Sequence, residues 1–107
     1  MVVGRFDIWL IDLDPVIGSE ISKTRPCLVI SPDESNKYLN TVTVAAMTTT
    51  QKNYPTRIDC AFKRKKGQVA LDQIRSVDKN RLIKKLGTFD VATNMKVSEV
   101  LVEMFEY

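Results

Sequence analysis

Short apolar runs separated by polar clusters fill most of the chain. Asp7-Ile8-Trp9-Leu10-Ile11-Asp12-Leu13 is rich in β-branched and aromatic residues and predicts a strand. Asp14-Pro15 ends it, and a polar loop runs on to Arg25. Pro26 to Ser31 predicts a second, continuously apolar strand, and Pro32 to Asn36 a turn or short helical turn. Thr41 to Met47 predicts a third strand and Thr48 to Pro55 a polar loop. Thr56 to Ala61 alternates in part as a fourth strand, Lys63 to Gly67 reads as a hairpin turn, and Gln68 to Arg75 as a fifth strand. A turn over Ser76 to Arg81 and a last short strand, Leu82 to Leu86, end at Gly87.

The period then changes. Val97, Val100, Leu101 and Met104 have the i, i+3, i+4, i+7 spacing of one helix face, with Glu99, Glu103 and Glu106 on the other. Asp90 or Thr93 can cap this helix, which needs a sheet to pack on. The fold class that follows is mainly β with a C-terminal helix: a small twisted antiparallel barrel.

A length of 107 residues suits one domain over 1–107, small enough that self-association would help it bury a core. No apolar run reaches the ~18 residues of a membrane span, and the N-terminus has no basic and apolar signal zones. A cytoplasmic protein with reduced thiols is expected, with Cys27 and Cys60 as packing residues. The chain has no histidine, which excludes Ser-His-Asp and Cys-His catalysis and any His/Cys zinc site. No metal and no cofactor are expected. The net charge of +3 hides an asymmetry: residues 52–85 carry eleven Lys or Arg against three Asp, whereas both flanking segments are acidic. A basic middle in a nearly neutral chain suggests a polyanion surface or a solvated face.

Four constellations could carry chemistry. Arg25 sits where a polar loop enters an apolar strand. Pro26 lacks an amide hydrogen and biases Arg25 toward extended backbone, so the guanidinium has a stiff support. Its planar fork can grip two phosphate oxygens, or it can pair with Glu20. Thr48-Thr49-Thr50-Gln51 places three hydroxyls at the exit of a strand, able to donate to a developing oxyanion or simply to end the strand. Gln73 and Arg75 share one strand face, with Asp78 and Arg81 close behind, as a nucleic-acid face or a salt-bridge ladder. Lys63, Arg64, Lys65 and Lys66 form a basic turn that steers RNA or keeps the tip soluble, and Tyr54 can stack on a base or pack at the rim.

Single-stranded RNA carries its own nucleophile, the 2′-hydroxyl. A ribonuclease that orients this hydroxyl and stabilises the phosphorane needs neither histidine nor metal. An Arg/Thr site fits that task.

Asp7-Ile8-Trp9, Asp12-Leu13-Asp14-Pro15, Gly18-Ser19-Glu20, Thr24-Arg25-Pro26, Thr48-Thr49, Tyr54-Pro55, Asp72-Gln73-Ile74-Arg75-Ser76-Val77-Asp78-Lys79 and Arg81-Leu82, in this order, resemble the MazF/PemK toxins of bacterial toxin–antitoxin systems. The resemblance runs from Gly4 to the terminal helix. It implies an SH3-like barrel of the MazF/PemK/CcdB type, working as a homodimer. The implied activity is metal-independent, sequence-selective cleavage of single-stranded mRNA to 2′,3′-cyclic phosphate and 5′-hydroxyl ends. The implied catalytic residues are Arg25 and Thr48, with Glu20, Gln73, Arg75 and Asp78 as further catalytic or RNA-binding positions. Ser19, Lys23, Thr49, Thr50, Gln51, Tyr54, Lys63, Arg64, Lys65 and Lys66 are expected along the RNA. Arginine keeps its proton at working pH, so Arg25 is expected to stabilise the phosphorane, leaving Glu20, water or a phosphate oxygen to take the 2′-proton. A MazE/PemI-like antitoxin with an acidic, apolar tail is the implied protein partner. Where many relatives continue Gly-Ser-Glu with glutamine and a small residue, this chain has Ile21-Ser22, so base preference is open. A gyrase-poisoning toxin of the CcdB kind and a non-catalytic RNA or antitoxin binder are the alternative readings.

Overall fold

The computed structural model describes residues 1–107. Six strands, β1 (Asp7–Asp12), β2 (Thr24–Val29), β3 (Thr41–Thr48), β4 (Arg57–Phe62), β5 (Lys65–Asp78) and β6 (Leu82–Thr88), are joined by helix α1 (Asp33–Tyr38) and followed by helix α2 (Val91–Phe105). They form one antiparallel sheet in the order β4-β5-β3-β2-β1-β6. Alternation along the strands sends side chains to opposite sides of the curled sheet. One buried cluster holds Trp9, Ile11, Cys27, Val29, Val44 and Val77. The other holds Ile8, Leu28, Ala45, Val69 and Leu71 under Val97 and Val100 of α2, with Leu101 and Met104 packed against it. Edge strands β4 and β6 meet through side chains: the Phe62 ring stands edge-on to Phe89 at 6.0 Å and lies beside Gly87. The result is the expected small barrel, left open at one seam. No helix is long and apolar enough to cross a membrane.

Three local expectations are corrected. The basic turn is confined to Lys63-Arg64, whose φ values of 50° and 65° make a tight two-residue hairpin. Lys65, Lys66 and Gly67 instead pair with Phe62, Ala61 and Cys60 of β4. At its other end β5 continues through Ser76 to Asp78, opposite Thr43 to Thr41, before a 3-10 turn over Lys79–Arg81. The Lys65-Lys66-Gly67 end is polar and has no hydrophobic alternation to announce it, whereas at the other end buried Val77 between exposed Ser76 and Asp78 continues the alternation of β5. The turn expected at Pro32–Asn36 lengthens into α1, where buried Asn36 donates to Ser31 O at 2.9 Å. Of the two possible caps of α2, Asp90 makes the bond, accepting from Thr93 N at 2.8 Å.

Thr56 and Arg57 are tied to β5. The Arg57 guanidinium grips both oxygens of Asp72 at 2.7 and 3.0 Å, and Thr56 Oγ1 donates to the same carboxylate at 3.0 Å. The hydrogen bond from Arg57 holds the Asp72 carboxyl below the usual carboxylate range, outweighing desolvation. A carboxylate whose pKa is depressed by folding contributes stability that is fully present above its unfolded value near ~3.9. That contribution is lost as pH falls through the lower folded value. Asp72→Asn should therefore be less stable than the parent at neutral pH. In urea unfolding measured from about pH 7 down to about pH 2, the gap between the two should close only at the acid end. A gap independent of pH would show that the ionised pair contributes nothing.

Candidate active site

β2 and β3 are antiparallel with Cys27 opposite Ala46, and the same register carried outward sets Arg25 against Thr48. Both lie within strands rather than in the loops that flank them, each at the last stretch of pairing. Arg25 is half-buried. Its Nε donates to Ser22 O at 2.8 Å and its Nη1 to Met47 O at 3.4 Å. These two bonds fix the plane of the guanidinium and leave the remaining Nη protons free. Arg25 makes no ion pair with Glu20. Thr48 Oγ1 accepts from Thr50 N at 3.2 Å, so its hydroxyl proton is free to donate outward.

Arg25, Thr48 and Thr49 line a groove of about 430 Å³ beside the open seam of the barrel. Lys63, Lys65 and Lys66 of the β4–β5 hairpin line the same groove, over an apolar floor of Met47, Phe62 and Leu86. No carboxylate lines it, so its charge is wholly positive. It can hold an anion on the remaining Nη protons of Arg25 and a free hydroxyl, with lysines beside them.

The other candidates gather elsewhere. Glu20, Gln73 and Arg75 line a separate cavity of about 250 Å³ with Leu13, Ile21, Val44 and Ala46. Each is engaged with the β1–β2 loop. Glu20 Oε1 accepts from Ile17 N at 2.6 Å, Gln73 Oε1 accepts from Ile21 N at 3.1 Å, and Arg75 Nη1 donates to Leu13 O at 3.0 Å. Arg81 Nη1 donates to the carbonyls of Asp12 and Asp14 at 3.1 and 2.5 Å. The salt-bridge ladder that stood as the alternative reading of Asp78 and Arg81 does not form: Asp78 caps the 3-10 turn, accepting from Asn80 N at 2.8 Å. Ser19 and Lys23 are exposed in the β1–β2 loop, and Lys23 N donates to Asp14 Oδ1 at 3.0 Å. Thr50, Gln51 and Tyr54 are exposed on the β3–β4 loop outside the groove lining. The Tyr54 ring is already covered by the Arg57 guanidinium at 5.4 Å.

The thiols have no partner in a disulfide. Burial pushes Cys27 up to about 12 against the opposing pull of Arg25 and Arg75. Burial and the nearby Asp59 raise Cys60 to about 11. Neither is a thiolate at neutral pH.

Two residues that the sequence did not single out position Thr48. A Cβ on Gly67 would stand 2.8 Å from Thr48 O, so only glycine lets β5 lie this close to β3. Its neighbour Gln68, opposite Thr48, is buried, and its side chain mimics a strand. Nε2 donates to Lys52 O at 3.0 Å and to Asp59 Oδ1 at 2.9 Å, while Oε1 accepts from Lys52 N at 3.0 Å. The loop leaving Thr48 is thus spliced back onto β5. The sequence reads Gly67 as the end of a hairpin turn, and only its place inside β5 gives it the meaning of a close backbone approach.

Residues 4–105 match the family described as PemK-like, MazF-like toxin of type II toxin–antitoxin system. Endoribonuclease EndoA of Bacillus subtilis (strain 168) is 38% identical over 107 residues, spanning 94% of this chain and 92% of that relative. The crystal structure of MazF from Deinococcus radiodurans has the same fold at a TM-score of 0.87 and 23% identity, covering 100% of this chain and 99% of that one. A mycobacterial endoribonuclease solved with its cognate antitoxin has the same fold at a TM-score of 0.80 and 24% identity, over 94% of this chain and 92% of that one. The chain belongs to the PemK-like, MazF-like toxin family of type II toxin–antitoxin systems.

Proposed function

We propose that the chain is a metal-independent endoribonuclease toxin that cuts single-stranded mRNA at the Arg25–Thr48 groove. The observation that carries this reading is the pairing of a half-engaged guanidinium with a free hydroxyl in a groove lined by lysines and no carboxylate. The 2′-oxygen attacks phosphorus, and the bond to the 5′-oxygen breaks, leaving a cyclic phosphate and a 5′-hydroxyl. The free Nη donors of Arg25 meet the charge that grows on the non-bridging oxygens, and Thr48 donates to the same phosphate. Arg25 can also supply the proton taken by the leaving 5′-oxygen and regain it from solvent. With Glu20 committed to Ile17 N in the other cavity, water or a phosphate oxygen receives the 2′-proton. The β1–β2 loop, held by Gln73, Arg75 and Arg81, borders the bases, with Ser19, Lys23, Thr50, Gln51 and Tyr54 as further contacts.

Val91, Met95, Val102 and Phe105 are exposed on one side of α2, opposite its core-facing residues. This second apolar stripe supports a homodimer. The cationic groove suits the acidic, apolar tail of a MazE/PemI-like antitoxin that covers the RNA site in the cytoplasm. The test is cleavage of a long single-stranded RNA in excess EDTA with both ends mapped. Discrete cuts ending in cyclic phosphate are expected. Cuts that require added metal, or that leave 3′-hydroxyl ends, would overturn the mechanism.

A further inference from the structure

We propose that the tip of the β4–β5 hairpin, Lys63-Arg64, is a phosphate clamp that grips the RNA backbone beyond the phosphate being cut. The inference rests on the ribonuclease reading above and deepens it. Three observations converge on this tip.

The first is backbone strain. Lys63 and Arg64 have φ of 50° and 65°, the left-handed region at two successive positions. A two-residue hairpin of this kind is best filled by Asn-Gly, because long L side chains crowd the backbone there. Strain of this sort persists where a function holds it.

The second is charge. Four cations follow one another from Lys63 to Lys66, and none is in an ion pair; the salt bridges of the chain are Arg57–Asp72 and Lys85–Asp7. All four side chains are exposed. The Lys63 ammonium lies over the face of the Phe62 ring, at 5.6 Å. Like charges side by side repel, so folding gains nothing from this choice of residues.

The third is place. Lys63, Lys65 and Lys66 line the groove that holds Arg25 and Thr48, and Arg64 stands next beyond them at the tip. A strand of RNA seated with one phosphate on Arg25 leaves the groove past this hairpin. Neighbouring phosphates then meet two cations carried on the turn, exposed and without an ion-pair partner. Such contacts position the backbone and carry no sequence information. An acidic protein tail offers fewer, less regularly spaced charges than a phosphodiester chain, which favours RNA as the ligand.

The experiment uses a fluorescein-labelled, mixed-sequence single-stranded RNA, 2′-O-methylated throughout so that it cannot be cut. Its affinity is measured by anisotropy across a range of salt for the parent, for Lys63→Asn/Arg64→Gly, and for Lys63→Gln/Arg64→Gln. The first variant relaxes the turn and removes both charges; the second removes the charges alone. Each lost phosphate contact lowers the slope of log affinity against log salt by about 0.7, so both variants should lose about 1.4 from the parent's slope. The Asn-Gly variant should also melt at a higher temperature than the parent, so that the fold becomes more stable as RNA binding weakens. If either variant keeps the parent's affinity and slope, the clamp is refuted, even if it binds acidic peptides less well. If the parent itself neither binds nor cuts single-stranded RNA, the ribonuclease reading fails first, an outcome visible without any variant.

Discussion

Arg25→Ala loses RNA cleavage by about a hundredfold to a thousandfold or more, the scale on which removal of one oxyanion donor acts. The expectation comes from how the guanidinium is held. Ser22 O and Met47 O take one proton each from Nε and Nη1, and nothing else in the chain takes the rest. Those free donors have no structural employment, so their removal should be felt in the reaction. The fold should survive, because the carbonyls released, at the surface end of β2 and β3, can turn to water. Arg25→Lys keeps the charge but loses the fork that both anchors to the backbone and faces the phosphate, so it should recover little of the rate. Single-turnover cleavage of one mapped site, alongside thermal melting, separates the two effects. Near-parental cleavage by Arg25→Ala would remove the groove from the mechanism. In cells, toxicity that survives Arg25→Ala and is abolished by changes on the outer side of α2 would turn the reading toward a gyrase-poisoning toxin.

The β-rich fold and the terminal helix were legible because each depends on local pattern, and so was the placing of Arg25 and Thr48 at strand ends; that the two stand opposite each other depends on the β2–β3 register, and their pairing as a site came from the family resemblance. An apolar run preceded by arginine and followed by threonine puts those residues at strand ends whatever the register. The partners of the Asp72-Gln73-Ile74-Arg75 segment were not legible. Gln73 and Arg75 do share a face, but the Ile21 amide and the Leu13 carbonyl that they meet lie 52 and 62 residues away in sequence. Nothing local marks a backbone group that needs a partner. The same holds for Asp78, which reads as a candidate site acid until the 3-10 turn that it caps is seen. Glu20 was separated from Arg25 for a similar reason: its short reach back to Ile17 N closes its own loop. The basic turn shrank to two residues because hairpin geometry is set by φ, and Lys63-Arg64 is not the residue pair that usually announces it.

Gly67→Ala should damage both the fold and the site, because the added methyl would meet backbone and not a movable side chain. The methyl carbon would lie 2.8 Å from Thr48 O, closer than carbon and oxygen tolerate, and Gly67 is paired with Cys60 on its other side. β5 cannot retreat without loosening β4, so β3 must shift at Thr48. Overpacking of this kind costs about 1–3 kcal/mol, which for a domain of this size lowers the melting temperature by roughly 4–20 °C. The shift also moves the Thr48 hydroxyl and the loop that Gln68 splices to Lys52, so cleavage should fall by about tenfold to a hundredfold even at temperatures where the variant is folded. Gly4→Ala is the control. Its Cβ would crowd the Asp7 carboxylate at 3.2 Å, and Gly4 is not among the groove residues, so it should lose stability with no change in the rate of the folded enzyme. Equal cleavage by folded Gly67→Ala and parent would mean that the position of Thr48 tolerates displacement, and Thr48 would then be reduced to a contact of the groove wall.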